Sequence, residues 1–344
     1  MFDAGVRPAG NAVNGFVDLH ERIFGSGKET ICSRAAHVAL ANLSKNSPVD
    51  ALLFAASVRG GTPYVGLKSG TSVFEELLRL VTRAKEITEN AGDELACPAI
   101  CFLHGEADFG LKTTRSDYRR YMQEFRADAE NEFGKILGNC KPKILLSQTN
   151  SAHVASATDP RISTAQLDVS LGCDGFVCVG PSYWVPLADP HHFSSVGYAK
   201  LGEVFGHALA LTLNGERFEP LHIIDVARAE NSIVLRYNMP VELVASDARD
   251  ADYGFDLINH DGKAVRIEAV RVVSDHSVML DVMNFSGELF YACRATTDQS
   301  GNRVSPRGCI RAREPVRQST LEGNLHHWAC VQTLEVRRAP LQYQ

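Results

Sequence analysis

Between residues 29 and 213, short continuous apolar runs alternate with longer amphipathic segments, and this alternation constrains the fold more than any other sequence feature. The apolar runs predict buried strands at Asp50–Ser57 (DALLFAAS), Ala99–His104 (AICFLH), Lys143–Ser147 (KILLS) and Gly175–Val179 (GFVCV). Apolar positions at helical spacing predict helices over Thr71–Asn90, Ser116–Leu137, Arg161–Leu171 and Ser194–Leu213. Continuous apolar strands separated by helices are typical of a parallel sheet covered on both faces, so the pattern predicts a three-layer α/β domain.

After about residue 214 the pattern changes to short runs that are rich in β-branched and aromatic residues. Turn signals such as Asp261-Gly262 and Gly323-Asn324 separate these runs, as in an antiparallel β-sandwich. We therefore expect two domains, an α/β domain over residues 1–215 and a β-sandwich-like accessory domain over residues 216–344.

Charge and hydropathy narrow the partners that this chain can have. The formal net charge is −6 and no run of Lys and Arg reaches five residues, which disfavours nucleic acid and anionic membrane surfaces as partners. The sequence contains no stretch of about 18 apolar residues, so it predicts no transmembrane helix. The first residues, MFDAGVRPAGN, lack the apolar core of a signal peptide, so a cytoplasmic chain is expected from the sequence as written.

The cysteines do not form a pattern that predicts a disulfide framework or a metal site. There are nine of them, an odd number, and none forms a CxxC pair. Several lie inside apolar runs such as AICFL and FVCV, where a reduced thiol behaves as a small hydrophobic group. We therefore expect most of the cysteines to be reduced and buried.

The strongest candidate site is the segment Ala188-Asp189-Pro190-His191-His192, between the last predicted strand and the last helix of the α/β domain. Loops at the carboxyl ends of parallel strands form the ligand crevice of open sheets. An aspartate three residues before a histidine can orient the imidazole and stabilise its protonated form, as a serine hydrolase requires. The spacing is equally compatible with an Asp189 that caps a turn and a His192 that packs at a helix start.

A second candidate follows the AICFL strand, in the order His104-Gly105-Glu106-Ala107-Asp108. Polar side chains and a glycine at a strand end can donate hydrogen bonds to a developing oxyanion. The alternative is a loop whose acidic groups cap the next helix. His-x-Glu also occurs in zinc deaminases, but their Pro-Cys-x-x-Cys segment does not follow, so no metal is predicted.

A third candidate, Gly60-Gly61, follows the first predicted strand. Two glycines allow backbone N–H groups to approach a ligand closely and to stabilise an oxyanion. By itself the pair predicts no more than a turn.

Along the chain, Gly60-Gly61 comes first, then His104–Asp108, then Asp189–His192. In this order the three segments resemble the SGNH (GDSL-type) hydrolases, and within them the branch of sialate O-acetylesterases and other carbohydrate esterases. The resemblance runs from Met1 to about Leu213 and extends weakly into the β region. It implies a flavodoxin-like sheet, no cofactor and a substrate that is an O-acylated carbohydrate. It also implies His192 as the catalytic base and Asp189 as its orienting acid.

The remaining positions of the family pattern map onto the two other segments. The resemblance implies that Gly60, Gly61 and His104 stabilise the oxyanion, with Gly105 and Glu106 beside the substrate and Asp108 in support. The family usually carries Gln or Asn where this sequence has His104, although some members share His-Gly-Glu-Ala-Asp.

The family also opens with a strand that ends in Gly-Asp-Ser or Gly-Gln-Ser, and this sequence contains no such block. Ser26 is a weak substitute for the nucleophile and Ser33 a weaker one, because neither follows an apolar strand. In the sheet order 2-1-3-4-5 the first strand is central, and each buried polar group that it left unpaired would cost about 1–3 kcal/mol. We therefore expect a truncated N-terminus or, secondly, a degenerate protein, and a chain that is inactive or nearly so as written.

The sequence thus predicts a serine esterase that removes O-acetyl groups from a carbohydrate. The alternative is a non-catalytic carbohydrate-binding or structural accessory protein, of a phage or a cell surface. Trp328, in His326-His327-Trp328, is compatible with sugar stacking but more typical of a hydrophobic core. A GDSL lipase is less favoured because no long apolar lid segment is evident.

Overall fold

The computed structural model describes residues 30–49, 51–57, 59–150, 159–189, 192–245, 252–294, 296–297, 303–304, 307–319, 321 and 323–336. These residues form two compact units. Unit 1 contains the described residues up to Ser147, together with Ala165–Val179 and Phe193–Glu219. Unit 2 contains the described residues of Gln148–Thr164, Gly180–His192 and the chain from Pro220 onward.

A parallel sheet of three strands in the order β1-β2-β3 forms the centre of the α/β part. The strands are β1 (Ile100–Phe102), β2 (Ile144–Gln148) and β3 (Phe176–Pro181). Ile100 pairs with Ile144 in parallel register, and every residue of β2 is buried. Three of the predicted strands and the parallel arrangement are therefore confirmed.

The strand predicted at Asp50–Ser57 is wrong for the residues described. Residues 51–57 belong to no strand, and the side chain of Leu53 is 47% exposed. A strand needs a neighbour that accepts and donates its backbone hydrogen bonds. Among the described residues no strand pairs with this segment, so its apolar composition does not lead to a ladder.

Six α-helices lie within the described ranges, and they include all of the predicted ones. They are α1 (Cys32–Ala41), α2 (Ser72–Ala91), α3 (Glu106–Gly110), α4 (Arg115–Leu137), α5 (Arg161–Gly172) and α6 (Ser195–Leu213). Side chains that accept from backbone N–H groups begin three of them: Thr71 for α2, Thr114 for α4 and Ser194 for α6. None of these helices combines the length and apolarity needed to cross a bilayer.

Helices α1 and α6 pack closely because α6 presents glycines to α1. A Cβ atom on Gly202 would lie 2.7 Å from the carbonyl oxygen of Ile31, and one on Gly206 would lie 2.5 Å from that of Ala35. Both neighbours are backbone atoms, which cannot rotate away as a flexible side chain could. The two glycines therefore set the distance between these helices.

We predict opposite effects of Gly→Ala substitutions in α6 and α4. Gly206→Ala should lower the free energy of unfolding by about 1–3 kcal/mol, because the added methyl group overpacks the contact with α1. Gly134→Ala is the matched control, since a Cβ atom there meets nothing within 4 Å, and it should stabilise α4 by up to about 1 kcal/mol. Urea unfolding measures both values. Equal effects of the two variants would contradict the close packing of α1 and α6.

Antiparallel strands make up most of the rest of the chain, as predicted. They are β4 (Ile223–Ala229), β5 (Ser232–Tyr237), β6 (Val241–Leu243), β7 (Phe255–Asn259), β8 (Ala264–Val265), β9 (Ala269–Ser274), β10 (Ser277–Asp281), β11 (Gly287–Tyr291), β12 (Thr296–Thr297), β13 (Arg303–Val304), β14 (Ile310–Ala312), β15 (Arg317–Gln318), β16 (Asn324–Leu325) and β17 (Gln332–Val336). Two four-stranded sheets have the orders β4-β5-β10-β9 and β17-β11-β7-β8. Gly262, with φ +77°, makes the predicted turn between β7 and β8.

One hydrophobic core in unit 2 draws side chains from both four-stranded sheets. Leu235 and Leu280 come from the first sheet, and Leu257 and Leu289 from the second. Tyr183, from the loop after β3, belongs to the same core. The predicted domain boundary at residues 215/216 stays a prediction, and the change from helix to strand falls between α6 and β4.

The expectation that most cysteines are reduced and buried is met by four of the nine. Cys97 and Cys140 form a disulfide that joins the residues before β1 to those before β2, across 43 positions of sequence. Spacing did not indicate this pair because the two residues approach each other only when β1 and β2 are neighbours. Closing a loop of this length typically stabilises a fold by about 2–4 kcal/mol. The other seven cysteines are reduced, and four of these are buried.

Candidate functional site

Asp189 and His192 form a hydrogen-bonded pair in the loop that follows β3. The two carboxylate oxygens of Asp189 lie 2.8 and 3.0 Å from Nδ1 of His192. Both side chains are about half exposed. The pair that the sequence predicted is therefore formed.

Backbone groups next to this pair are hydrogen-bonded as well. The N–H of Ala188 donates to the carbonyl oxygen of His192 at 2.8 Å. The Asp189 carboxylate also accepts from the backbone N–H of His192 at 2.9 Å. Asp189 thus contacts both the backbone and the ring of His192, and the catalytic interpretation of this pair stays a prediction.

The contact determines which imidazole nitrogen carries the proton when the ring is neutral. A carboxylate only accepts hydrogen bonds, so Nδ1 of His192 must carry the hydrogen. The lone pair then lies on Nε2, which is the atom that acts as base in a serine hydrolase.

His104, by contrast, lies inside unit 1 with both ring nitrogens hydrogen-bonded to protein groups. Its Nε2 is 3.1 Å from the carbonyl oxygen of Thr62, and its Nδ1 is 2.9 Å from the hydroxyl of Tyr118. The carbonyl of Thr62 can only accept, so Nε2 carries the hydrogen and Nδ1 accepts from Tyr118. Gln166 donates to the backbone carbonyl of His104 at 2.7 Å, so the backbone of this residue is hydrogen-bonded as well as its ring.

Burial lowers the pKa of His104 below its ordinary value of 6.5. The charges of Asp108 and Glu106 and the hydrogen bond to Thr62 oppose this shift but are weaker. The ring is therefore neutral near pH 7. The Nε2–H of His104 is directed at the carbonyl of Thr62, so in this arrangement His104 holds the loop that contains Thr62. The predicted role of His104 as an oxyanion donor stays a prediction.

Asp108 connects the same two loops from the other side. Its carboxylate accepts from the backbone N–H of Tyr64 at 2.8 Å and from the hydroxyl of Thr113 at 3.0 Å. The side chain is 1% exposed, whereas Glu106 is exposed at the start of α3. Asp108 thus holds the loop at Tyr64, and its supporting role in a catalytic site stays a prediction.

The two predicted glycines lie in the exposed loop before Thr62. Gly61 has φ +66°, a conformation that glycine adopts more readily than other residues, while a Cβ atom on either Gly60 or Gly61 would meet nothing within 4 Å. Gly105, with φ +136°, is buried directly after His104. Through Thr62 and Tyr64, the Gly60-Gly61 loop and the His104 loop come together.

The predicted site residues thus form two groups. Asp189 and His192 belong to unit 2, and the groups around His104 belong to unit 1. Ser26 lies outside the described residues, and Ser33 lies in α1. No cluster of three His, Cys, Asp or Glu side chains suited to a metal ion occurs in the described ranges.

Sequence reasoning missed Tyr118 and Gln166, which complete the surroundings of His104. Tyr118 is fully buried in α4, and Gln166 is fully buried in α5. A glutamine within the apolar periodicity of α5 was the available signal for a buried polar contact.

Comparisons with known proteins give fold likenesses only. No family model and no curated protein matches the chain. A carbohydrate acetylesterase from Xanthomonas citri is similar with a TM-score of 0.47 and 12% identity, over 69% of this chain and 50% of that one. A protein from Arabidopsis thaliana is similar with a TM-score of 0.31 and 20% identity, over 44% and 57% of the two chains.

The N-terminal part of the bacterial S-layer protein SbsC has a TM-score of 0.18 and 11% identity, over 79% of this chain and 74% of that one. The chain spans about half the length of the first two structures. At TM-scores below 0.5 these likenesses do not define a function, which is therefore argued from the site itself.

The lowered pKa of His104 predicts how stability depends on pH. Below pH 6.5 the unfolded chain binds a proton at this residue that the folded chain does not, so stability falls as the pH falls. Stability should therefore be lower at about pH 5.5 than at about pH 7.5 because of His104. His104→Gln should remove this component, as measured by urea unfolding at both pH values. An equal pH dependence in the variant would show that the buried ring is protonated, contrary to the argument above.

Proposed function

We propose that this protein is a serine esterase that removes O-acetyl groups from a carbohydrate. His192 takes the proton from a serine hydroxyl through Nε2 as the serine oxygen bonds to the acetyl carbon. It then gives that proton to the leaving sugar oxygen as the ester C–O bond breaks. Water repeats the sequence on the acetyl-serine and releases acetate.

The hydrogen bond between Asp189 and Nδ1 of His192 is the observation that supports this proposal most. At 2.8 Å it selects the tautomer that a general base needs and compensates the charge that the ring gains. Half exposure of both side chains leaves the pair accessible to solvent, as a base acting on an external substrate must be. The carbohydrate acetyl ester as substrate follows from the sequence resemblance.

The other predicted residues take supporting roles in the proposal. The sequence resemblance assigns oxyanion stabilisation to Gly60, Gly61 and His104, and this assignment stays a prediction. Asp108 holds the loop by its bonds to Tyr64 and Thr113.

A non-catalytic accessory protein is the second candidate, and one observation favours it. The Asp189 carboxylate also accepts from the backbone N–H of His192, so a need for the turn alone could retain the aspartate. In that case His192 would have no effect on the reactivity of any serine.

A fluorophosphonate probe, which reacts with activated serines, separates the two candidates. In the protein expressed from its own gene, we expect one labelled serine, identified by peptide mapping. His192→Ala should slow labelling by about 10²–10⁴-fold, the usual contribution of a general base. His260→Ala is the matched control, since His260 is also exposed in unit 2 but bonds to Ser286 instead of an acid.

Labelling of one serine that depends on His192 but not on His260 would support the esterase. Absence of labelling, or equal labelling in the His192→Ala variant, would exclude it and leave the accessory protein.

A further inference from the structure

The loop that carries Asp189 and His192 begins with residues that are anchored to the β sheets of unit 2. Tyr183 is 2% exposed, and its hydroxyl donates to the carbonyl oxygen of Ala329 at 2.7 Å. Val185, two residues after Tyr183, is also fully buried. The bond of Tyr183 ties the loop to the segment just before β17. The loop is therefore attached at its start, a few residues before the Asp189–His192 pair.

The space around the Tyr183 hydroxyl is tightly filled. A Cβ atom on Gly308 would lie 2.8 Å from this hydroxyl and 2.5 Å from that of Tyr291. The hydroxyl of Tyr291 in turn accepts from the backbone N–H of Ile310 at 2.9 Å. The position of Tyr183 is thus set by backbone groups of the β sheets on more than one side.

The two tryptophans of the chain stack on each other beside this bond. The rings of Trp184 and Trp328 are nearly parallel, at 8°, with centroids 6.2 Å apart. The ring of Tyr183 meets Trp328 edge to face at 6.3 Å. Trp328 therefore contacts both aromatic residues at the start of the loop.

A second attachment reaches the same segment from the end of β2. The buried side chain of Gln148 accepts from the backbone N–H of Val331 at 2.7 Å and donates to its carbonyl oxygen at 2.9 Å. Ser182 donates to the backbone carbonyl of Gln148 at 2.8 Å. Residues 328–331, which we name the anchor segment, therefore hold both Gln148 and the start of the Asp189–His192 loop.

We propose that Trp328 is a positioning residue for His192, so that the β region belongs to the catalytic apparatus instead of being a separate attachment module. This inference rests on the proposed function for its catalytic consequence. Trp328 fixes Tyr183 and Trp184, and these two residues fix the start of the loop. The hydrogen bond from the N–H of Ala188 to the carbonyl oxygen of His192 then links the loop to the residue that carries the imidazole. Neither tryptophan needs to contact a sugar for this role.

Substitution of Trp328 should change the state of the His192 ring. Long-range 1H–15N NMR distinguishes Nδ1–H from Nε2–H imidazole, and His192→Gln identifies the signal among the twelve histidines. We expect the Nδ1–H form in the unmodified protein and its loss in Trp328→Ala, with retention in Trp328→Phe. In the acetyl esterase assay, Trp328→Ala should lower kcat by about 10²-fold with little change in KM, as expected from a displaced catalytic group.

Leu334→Ala is the control for general loss of packing, since Leu334 on β17 packs against the same core. It should retain the Nδ1–H signal. Should Trp328→Ala fail to fold, Tyr183→Phe removes only the hydroxyl that binds Ala329, and the signal should weaken there too. Retention of the signal in the folded Trp328→Ala or Tyr183→Phe variants, or its equal loss in Leu334→Ala, would overturn the inference.

The NMR result does not depend on turnover. A change in the His192 signal without any reactive serine would refute the esterase and keep the positioning role. A reactive serine together with an unchanged His192 signal in Trp328→Ala would support the esterase and refute the positioning role.

Discussion

The rest of the account depends on the contact between the Asp189 carboxylate and the His192 imidazole. The carboxylate oxygens lie within 3 Å of Nδ1, and the backbone bond from Ala188 to His192 accompanies this contact. An exposed contact of this kind contributes only about 0–1 kcal/mol to stability. Its value lies in choosing the protonated nitrogen of His192, because this choice decides whether the ring can act as a base.

A comparison of the two histidines shows why pairing with an acid is not enough to indicate catalysis. His104 lies 3.4 Å from the Asp108 carboxylate, yet it is buried and donates to the carbonyl of Thr62. Burial keeps its ring neutral, and its hydrogen bonds join two loops and two helices. His192 is half exposed and oriented by one acid, as a ring that exchanges protons with a substrate must be.

Much of the α/β part could be predicted from the sequence because the patterns that indicate its strands and helices are local. Apolar runs of strand length predicted β1, β2 and β3, and helical periodicity predicted α2, α4, α5 and α6. Asp189 and His192 could be predicted as a pair because they are only three positions apart in the sequence. The apolar run at residues 51–57 misled because strand formation depends on a pairing partner that composition does not report.

Contacts between distant parts of the chain could not be predicted. The Cys97–Cys140 disulfide depends on the order of β1 and β2 in the sheet. The bond of Tyr183 to Ala329 spans 146 positions, and the stacking of Trp184 on Trp328 is equally remote in sequence. The sequence placed Trp328 in a core as the more frequent case, but it could not indicate that this core supports the loop of His192.

A double-mutant cycle on acetate release from an acetylated sugar tests the central claim most directly. The protein expressed from its own gene is compared with Asp189→Asn, His192→Ala and the variant that carries both substitutions. If Asp189 acts through His192, Asp189→Asn lowers kcat by about 10³–10⁴-fold, and adding it to His192→Ala causes little further loss. Losses that multiply in the double variant, or an Asp189→Asn protein of unchanged activity, would contradict the account.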